Sequence, residues 1–153
     1  MQGKRIKDVV RATLASVALS MSLVPAPALA QGATETVLVQ DASQTVDGNV
    51  EVTDTANALK VVSTGANDAS AQVSGDVSNT NNGTITGSRD YVIGANLQSH
   101  GTGLSSATVD GNVTVSSTPE ESQSRGVGVY VRDGLTTENA RVSAEVKGDV
   151  KRS

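Results

Sequence analysis

The sequence contains no cysteine, no tryptophan and no phenylalanine, and only two tyrosines and three prolines in 153 residues. Without cysteine there can be no disulfide framework, no thiolate-ligated zinc or iron–sulfur site, no c-type haem attachment and no lipobox. Without an aromatic platform, nucleic-acid bases have nothing to stack on. Any core must therefore be aliphatic. Valine supplies it as the commonest residue type, beside abundant Ser and Thr, a mixture that favours strands and is poor in strong helix formers. The length allows one domain.

The segment 1–30 reads as an address rather than as part of the fold. Lys4, Arg5, Lys7 and Arg11 precede an apolar run, Leu14 to Val24, interrupted only by small residues. Pro25 and Pro27 stop a helix, and Ala28 and Ala30 provide the small-x-small pattern for cleavage before Gln31. The run is too short for a membrane span, which needs about 20 apolar residues. The segment 1–30 is therefore expected to form a cleavable signal helix, and 31–153 the exported chain. Removing the leader leaves 8 Lys plus Arg against 15 Asp plus Glu. Such an acidic chain is a poor partner for nucleic acid or anionic lipid, which require clustered bases.

Beyond the leader one phrase, V-x-G-[D/N]-V, occurs four times: Val46–Val50, Val73–Val77, Val109–Val113 and Val146–Val150. Its glycines, Gly48, Gly75, Gly111 and Gly148, are 27, 36 and 37 positions apart, spacings that signal stacked arrays. The interval from Gly65 to Gly75 equals that from Gly101 to Gly111. Between the phrases, aliphatic residues alternate at Val50/Val52, Ile93/Ala95/Leu97, Val113/Val115 and Val127/Val129/Val131. Period two places them on one face of a strand.

Within the phrase, glycine is expected to take positive φ and Asp or Asn to tolerate the left-handed region, so that the chain turns a corner. The recurring corner predicts an all-β fold, a short right-handed parallel β-solenoid of four to five rungs. About 20–30 residues are expected per turn. Ser78–Gly83 and Ser116–Ser122 read as loops. An antiparallel sandwich and a disordered polar chain are the competing readings.

Candidate chemistry is sparse. His100, the single histidine, lies in Gln98-Ser99-His100-Gly101; as a general base it would need an acid and a nucleophile brought close by the fold, and it reads as a solvated loop histidine. Asp47, Asp76, Asp110 and Asp149 read as turn formers, with the Asp and Asn residues at the corners stacking in a ladder. Neither a calcium-binding nonapeptide nor a D-x-D-x-D loop occurs, and no metal or cofactor is expected. Arg125, Arg132 and Arg141 with Asp133, Glu138 and Glu145 read as a solvated mixed-charge face; Tyr91 and Tyr130 are the only aromatic rings, and Tyr130, placed opposite the valine row, reads as an outward contact. Asn82-Gly83-Thr84 and Asn112-Val113-Thr114 match the glycosylation sequon. No Ser-His-Asp or P-loop pattern appears, so an enzyme is not expected. A polysaccharide-active enzyme on the same scaffold and a self-assembling fibre subunit are the alternatives.

A leader followed by V-x-G-[D/N]-V units, valine- and threonine-rich strands and no cysteine resembles the N-terminal part of a bacterial adhesin or autotransporter passenger. The resemblance implies a secreted or cell-surface protein that displays loops to a host or cell-surface ligand, a glycan or a protein. It carries over no catalytic residue. The sequence lacks the membrane barrel of an autotransporter and the sorting motif of a wall-anchored protein. It is therefore expected to be a fragment of a longer protein, with end rungs open to end-to-end self-association.

Overall fold

The computed structural model describes residues 30–86, 90–117, 125–134 and 141–153. They form twelve strands and no helix: β1 (Ala30–Ala33), β2 (Val37–Gln40), β3 (Ser43–Thr53), β4 (Asn57–Ser63), β5 (Ala69–Val73), β6 (Val77–Asn81), β7 (Tyr91–Ser99), β8 (Leu104–Val109), β9 (Val113–Ser117), β10 (Arg125–Asp133), β11 (Arg141–Val146) and β12 (Val150–Arg152). Two sheets result. One has the order β10-β7-β4-β2; the other runs β11-β8-β5-β3-β6-β9-β12, with β1 beside β3.

Every pairing is parallel, and the long β3 explains how the larger sheet is organised. Its first half pairs with β5 through Val46↔Val73, and its second half pairs with β6 through Val50↔Val77. The molecule thus has three rows of parallel strands. The first is β2-β4-β7-β10, the second is β3-β5-β8-β11 and the third is β3-β6-β9-β12. The chain visits the rows in the same order in each tier, so partners are separated in sequence by a whole tier. That separation is what parallel pairing requires.

The register partners Val46, Val73, Val109 and Val146 reproduce the spacing of the phrase glycines, so two of the three intervals between the four tiers are longer than expected. The added length lies between strands. The segment 82–90 separates β6 from β7, whereas 54–56 suffices between β3 and β4.

In-register stacking builds columns of one side-chain type. Val46, Val73 and Val109 form one column, with Val146 partly buried at its end, and Val50, Val77 and Val113 form another; all six fully stacked valines are at most 1% exposed. Leu59 and Ala95, then Val61 and Leu97, continue the core on the first row. Each fully buried Val or Leu contributes about 1.5–3 kcal/mol of transfer free energy, so a thin core needs no aromatic ring. In the last tier Val131 and Val150 are half exposed.

Two expectations are corrected. Residues 78–81 and 116–117 belong to strands β6 and β9, not to loops. The polar sequence is tolerated inside because Asn79 and Asn81 are fully buried and their amides bond to backbone. Asn79 Nδ2 donates to Thr55 O at 3.0 Å and Ile93 O at 2.9 Å, and Asn81 Nδ2 to Ile85 O at 2.8 Å. Ile93 is buried but stands outside the aliphatic core cluster. Its neighbour Gly94 faces inward instead: a Cβ there would meet Val113 Cγ1 at 2.5 Å and Gly128 O at 2.7 Å. Strict alternation fails at that glycine.

Truncating Leu97 to Ala should lower stability in urea denaturation by about 2–5 kcal/mol. Leu38→Ala, at a 56% exposed position, should change it by less than about 0.5 kcal/mol.

Candidate functional site

The four repeated phrases converge in space at one corner between the second and third rows. Gly75 N–H donates to Gly48 O at 3.1 Å, Gly111 to Gly75 O at 3.2 Å, and Gly148 to Gly111 O at 3.2 Å. Beside this backbone stack runs a side-chain ladder. Asn49 Oδ1 accepts from Asp76 N (2.9 Å), Asp76 Oδ1 from Asn112 N (2.6 Å), and Asn112 Oδ1 from Asp149 N (2.9 Å). Asn and Asp alternate along it, which spares adjacent tiers a pair of stacked carboxylates.

The variable position of the phrase forms a second column, Asp47, Ser74, Asp110 and Lys147. Ser74 Oγ donates to Asp47 Oδ1 at 3.1 Å and accepts Gly48 N–H at 2.8 Å. Lys147 Nζ sits 2.8 Å from Asp110 Oδ1, and the hydrogen bond and charge of that carboxylate raise the ammonium pKa above its ordinary value.

Glycine is needed at these corners for a different reason than the expected positive φ. Among the four only Gly48 has one, at 117°. A Cβ on Gly75 would lie 2.6 Å from Gly48 C, one on Gly111 2.7 Å from Gly75 O, and one on Gly148 2.6 Å from Gly111 O. Stacking leaves no room for a side chain. The left-handed conformations fall on residues that the sequence does not single out, Asp41 (φ 49°) and Asp54 (φ 56°). Each carboxylate bonds the next tier: Asp54 Oδ1 accepts from Asn82 N at 2.7 Å, and Asp41 accepts from Thr64 N at 2.7 Å and from the Thr64 hydroxyl. The hydroxyl, then the backbone N–H, of Thr64 hold the Asp41 pKa below the ordinary carboxylate value of 3.8. An Asp directly after a strand was the available signal.

The first row presents a chemically different outer surface. Leu59, Ala95, Val61 and Leu97 point inward, so Lys60 and Tyr130 point outward; Asn96, the register partner of both, lies on the same side of the sheet but is only 5% exposed. Tyr91, 41% exposed, packs against Tyr130 with ring centroids 6.4 Å apart and planes inclined by 36°. Amides cross the same face: Asn96 Nδ2 donates to Asn57 Oδ1 at 2.7 Å, and Gln98 Nε2 to Asn96 Oδ1 at 3.1 Å. His100 Nε2 lies 3.2 Å from Gln98 Oε1, so among the described residues the exposed imidazole meets an amide.

The other singled-out charged residues that the structure describes lie on two strands of the last tier. Arg125 and Arg132 lie on β10, Arg141 and Glu145 on β11, and Asp133 ends β10. Glu138 and Ala28 fall outside the described residues. Ala30 and Gln31 open β1, in register with Val46 and Asp47. Asn112 of the second sequon is engaged in the corner ladder, whereas Asn82 follows β6. Among the described residues no three His, Asp or Glu side chains are grouped to hold a metal ion. A shallow recess of about 250 Å³ on the second row is lined by Ser43, Thr45, Ser70, Gln72, Ser106 and Thr108 among others, hydroxyls and amides without a charge. No protein family, curated protein or solved structure matches this chain.

Gly111→Ala should cost about 1–3 kcal/mol by overpacking the stack, while Gly65→Ala, where a Cβ meets nothing within 4 Å, should leave the urea midpoint nearly unchanged. The lowered Asp41 pKa stabilises the fold above the ordinary carboxylate pKa, and that contribution is lost as pH falls through the lowered value. Thr64→Val should move the Asp41 titration midpoint, followed by carboxyl ¹³C NMR, back up toward 3.8.

Proposed function

We propose that residues 31–153 form a short right-handed β-solenoid, exported behind a cleaved leader, that serves as a non-catalytic scaffold segment of an adhesin-like surface protein. The observation that carries this reading is the repeated order of the three rows. Each tier passes through the first, second and third row and returns to the first, with equivalent residues in register. A right-handed coil is the usual sense of parallel crossover connections. Successive tiers bury their valines on one another and leave outward side chains and inter-row loops for contact with a partner.

The surroundings of His100 support a binding role over a catalytic one. Asp133 and Glu145 sit on different strands, and His100 has a glutamine for a partner. A general acid–base pair needs two such groups within reach of one substrate bond.

Export is testable with the full chain expressed in a secreting bacterium. The mature protein should begin at Gln31, and Ala28→Lys with Ala30→Lys should leave the uncleaved precursor in the cell. A cytoplasmic product beginning at residue 1 in both cases would rule out the leader. Circular dichroism of the secreted product should show strand, and a coil spectrum would rule out the scaffold.

A further inference from the structure

The four strands of the first row carry three bases, Lys60, Arg125 and Arg132, against one acid, Asp133 at the end of β10. This inverts the balance of a chain with 12 Lys plus Arg and 16 Asp plus Glu. None of the three bases makes an ion pair with another described residue, the ion pairs there being Lys147 with Asp110 and Lys151 with Asp149. The chain's only two tyrosines, its sole Phe, Tyr or Trp rings, pack together on this same row. The amide series Asn57, Asn96 and Gln98 crosses the same row.

We infer that the outer face of the first row binds a carboxylate- or sulfate-bearing polysaccharide, with Tyr130 and Tyr91 under the sugar rings and Lys60, Arg125 and Arg132 pairing its anionic groups. This rests on the scaffold reading above and assigns that scaffold a ligand class.

The chemistry selects the ligand. The face of an aromatic ring carries negative charge density and receives the C–H groups of a sugar, while its hydroxyl remains available for a polar contact. Asn57 and Gln98 are partly exposed amides that can supply donors and acceptors to sugar hydroxyls, and the buried Asn96 between them bonds both. The register places Arg125 beside Tyr91, Tyr130 and Lys60 beside Asn96, and Arg132 beside Gln98. Arg125 and Arg132 stand near opposite ends of β10, roughly 23 Å apart at the rise of a strand, which suits an oligosaccharide better than a single sugar. β4 and β7 are paired on both sides, so over their faces a peptide meets side chains alone and cannot add as a strand.

The test is titration of the exported protein with polygalacturonate, heparin, neutral dextran and poly-glutamate. Three variants are compared: Tyr130→Ala, Lys60→Gln with Arg132→Gln, and Ser70→Ala on the second row. Polygalacturonate or heparin, or both, should bind and weaken as salt rises, and dextran should not bind. Tyr130→Ala and the double charge variant should each lose at least about tenfold in affinity, whereas Ser70→Ala should bind like the parent. Preference for one polymer identifies carboxylate or sulfate as the anionic group.

The inference is overturned if neither acidic polysaccharide binds while circular dichroism still shows strand, a result that leaves the scaffold reading intact. It is also overturned if poly-glutamate binds as tightly and Tyr130→Ala has no effect, which would make the face a simple charged surface. Loss of the strand spectrum in a face variant is checked with Tyr130→Phe, which keeps the ring and should retain binding; loss of binding by a folded Tyr130→Phe protein would contradict stacking as the contact.

Discussion

Parallel, in-register hydrogen bonding between tiers is the constraint on which everything else depends. It fixes each residue beside its counterpart one tier away, so any chemical choice at one position is repeated or answered at the next. A valine column buries itself, because every member except the last is covered by another valine. A charged column would not, and the corner ladder accordingly alternates Asn49, Asp76, Asn112 and Asp149. The same rule excludes a side chain at Gly75, Gly111 and Gly148, where one backbone lies directly on the next.

Stacking also explains how a core of this kind dispenses with aromatic residues. Valine, alanine and leucine make up most of the buried interior between the rows. Where the sequence becomes polar, asparagine enters the interior and bonds to backbone carbonyls, as Asn79 does with Thr55 and Ile93. These bonds join the third row to the first across the corner and satisfy backbone groups that a valine would leave unpaired. The two tyrosines, with no place inside, meet on the outside.

The parts legible in the sequence were those written as repetition. The V-x-G-[D/N]-V phrase marked the corner, and period-two valines marked Val50/Val52 and Val113/Val115 as inward pairs. What could not be read was whatever depends on which tiers lie side by side. Tyr91 and Tyr130 belong to different tiers, far apart along the chain, yet their ring centroids are 6.4 Å apart in space. That contact is set by tier length, which loops of variable length conceal from a linear pattern. Ser78–Asn81 read as loop because composition ranks asparagine as a turn residue, whereas in the interior Asn81 donates to Ile85 O and accepts from the Gly83 and Ile85 N–H groups. The corner glycines were placed correctly as a corner but for the wrong cause: close approach selects three of the four, and only Gly48 needs its φ.

Through-hydrogen-bond NMR couplings at the glycine corner test tier stacking most directly. Protein labelled with ¹⁵N and ¹³C glycine should show couplings from Gly75 N–H to the Gly48 carbonyl, from Gly111 to Gly75, and from Gly148 to Gly111. Couplings confined to partners a few residues away in sequence would indicate local hairpins and contradict the parallel stack.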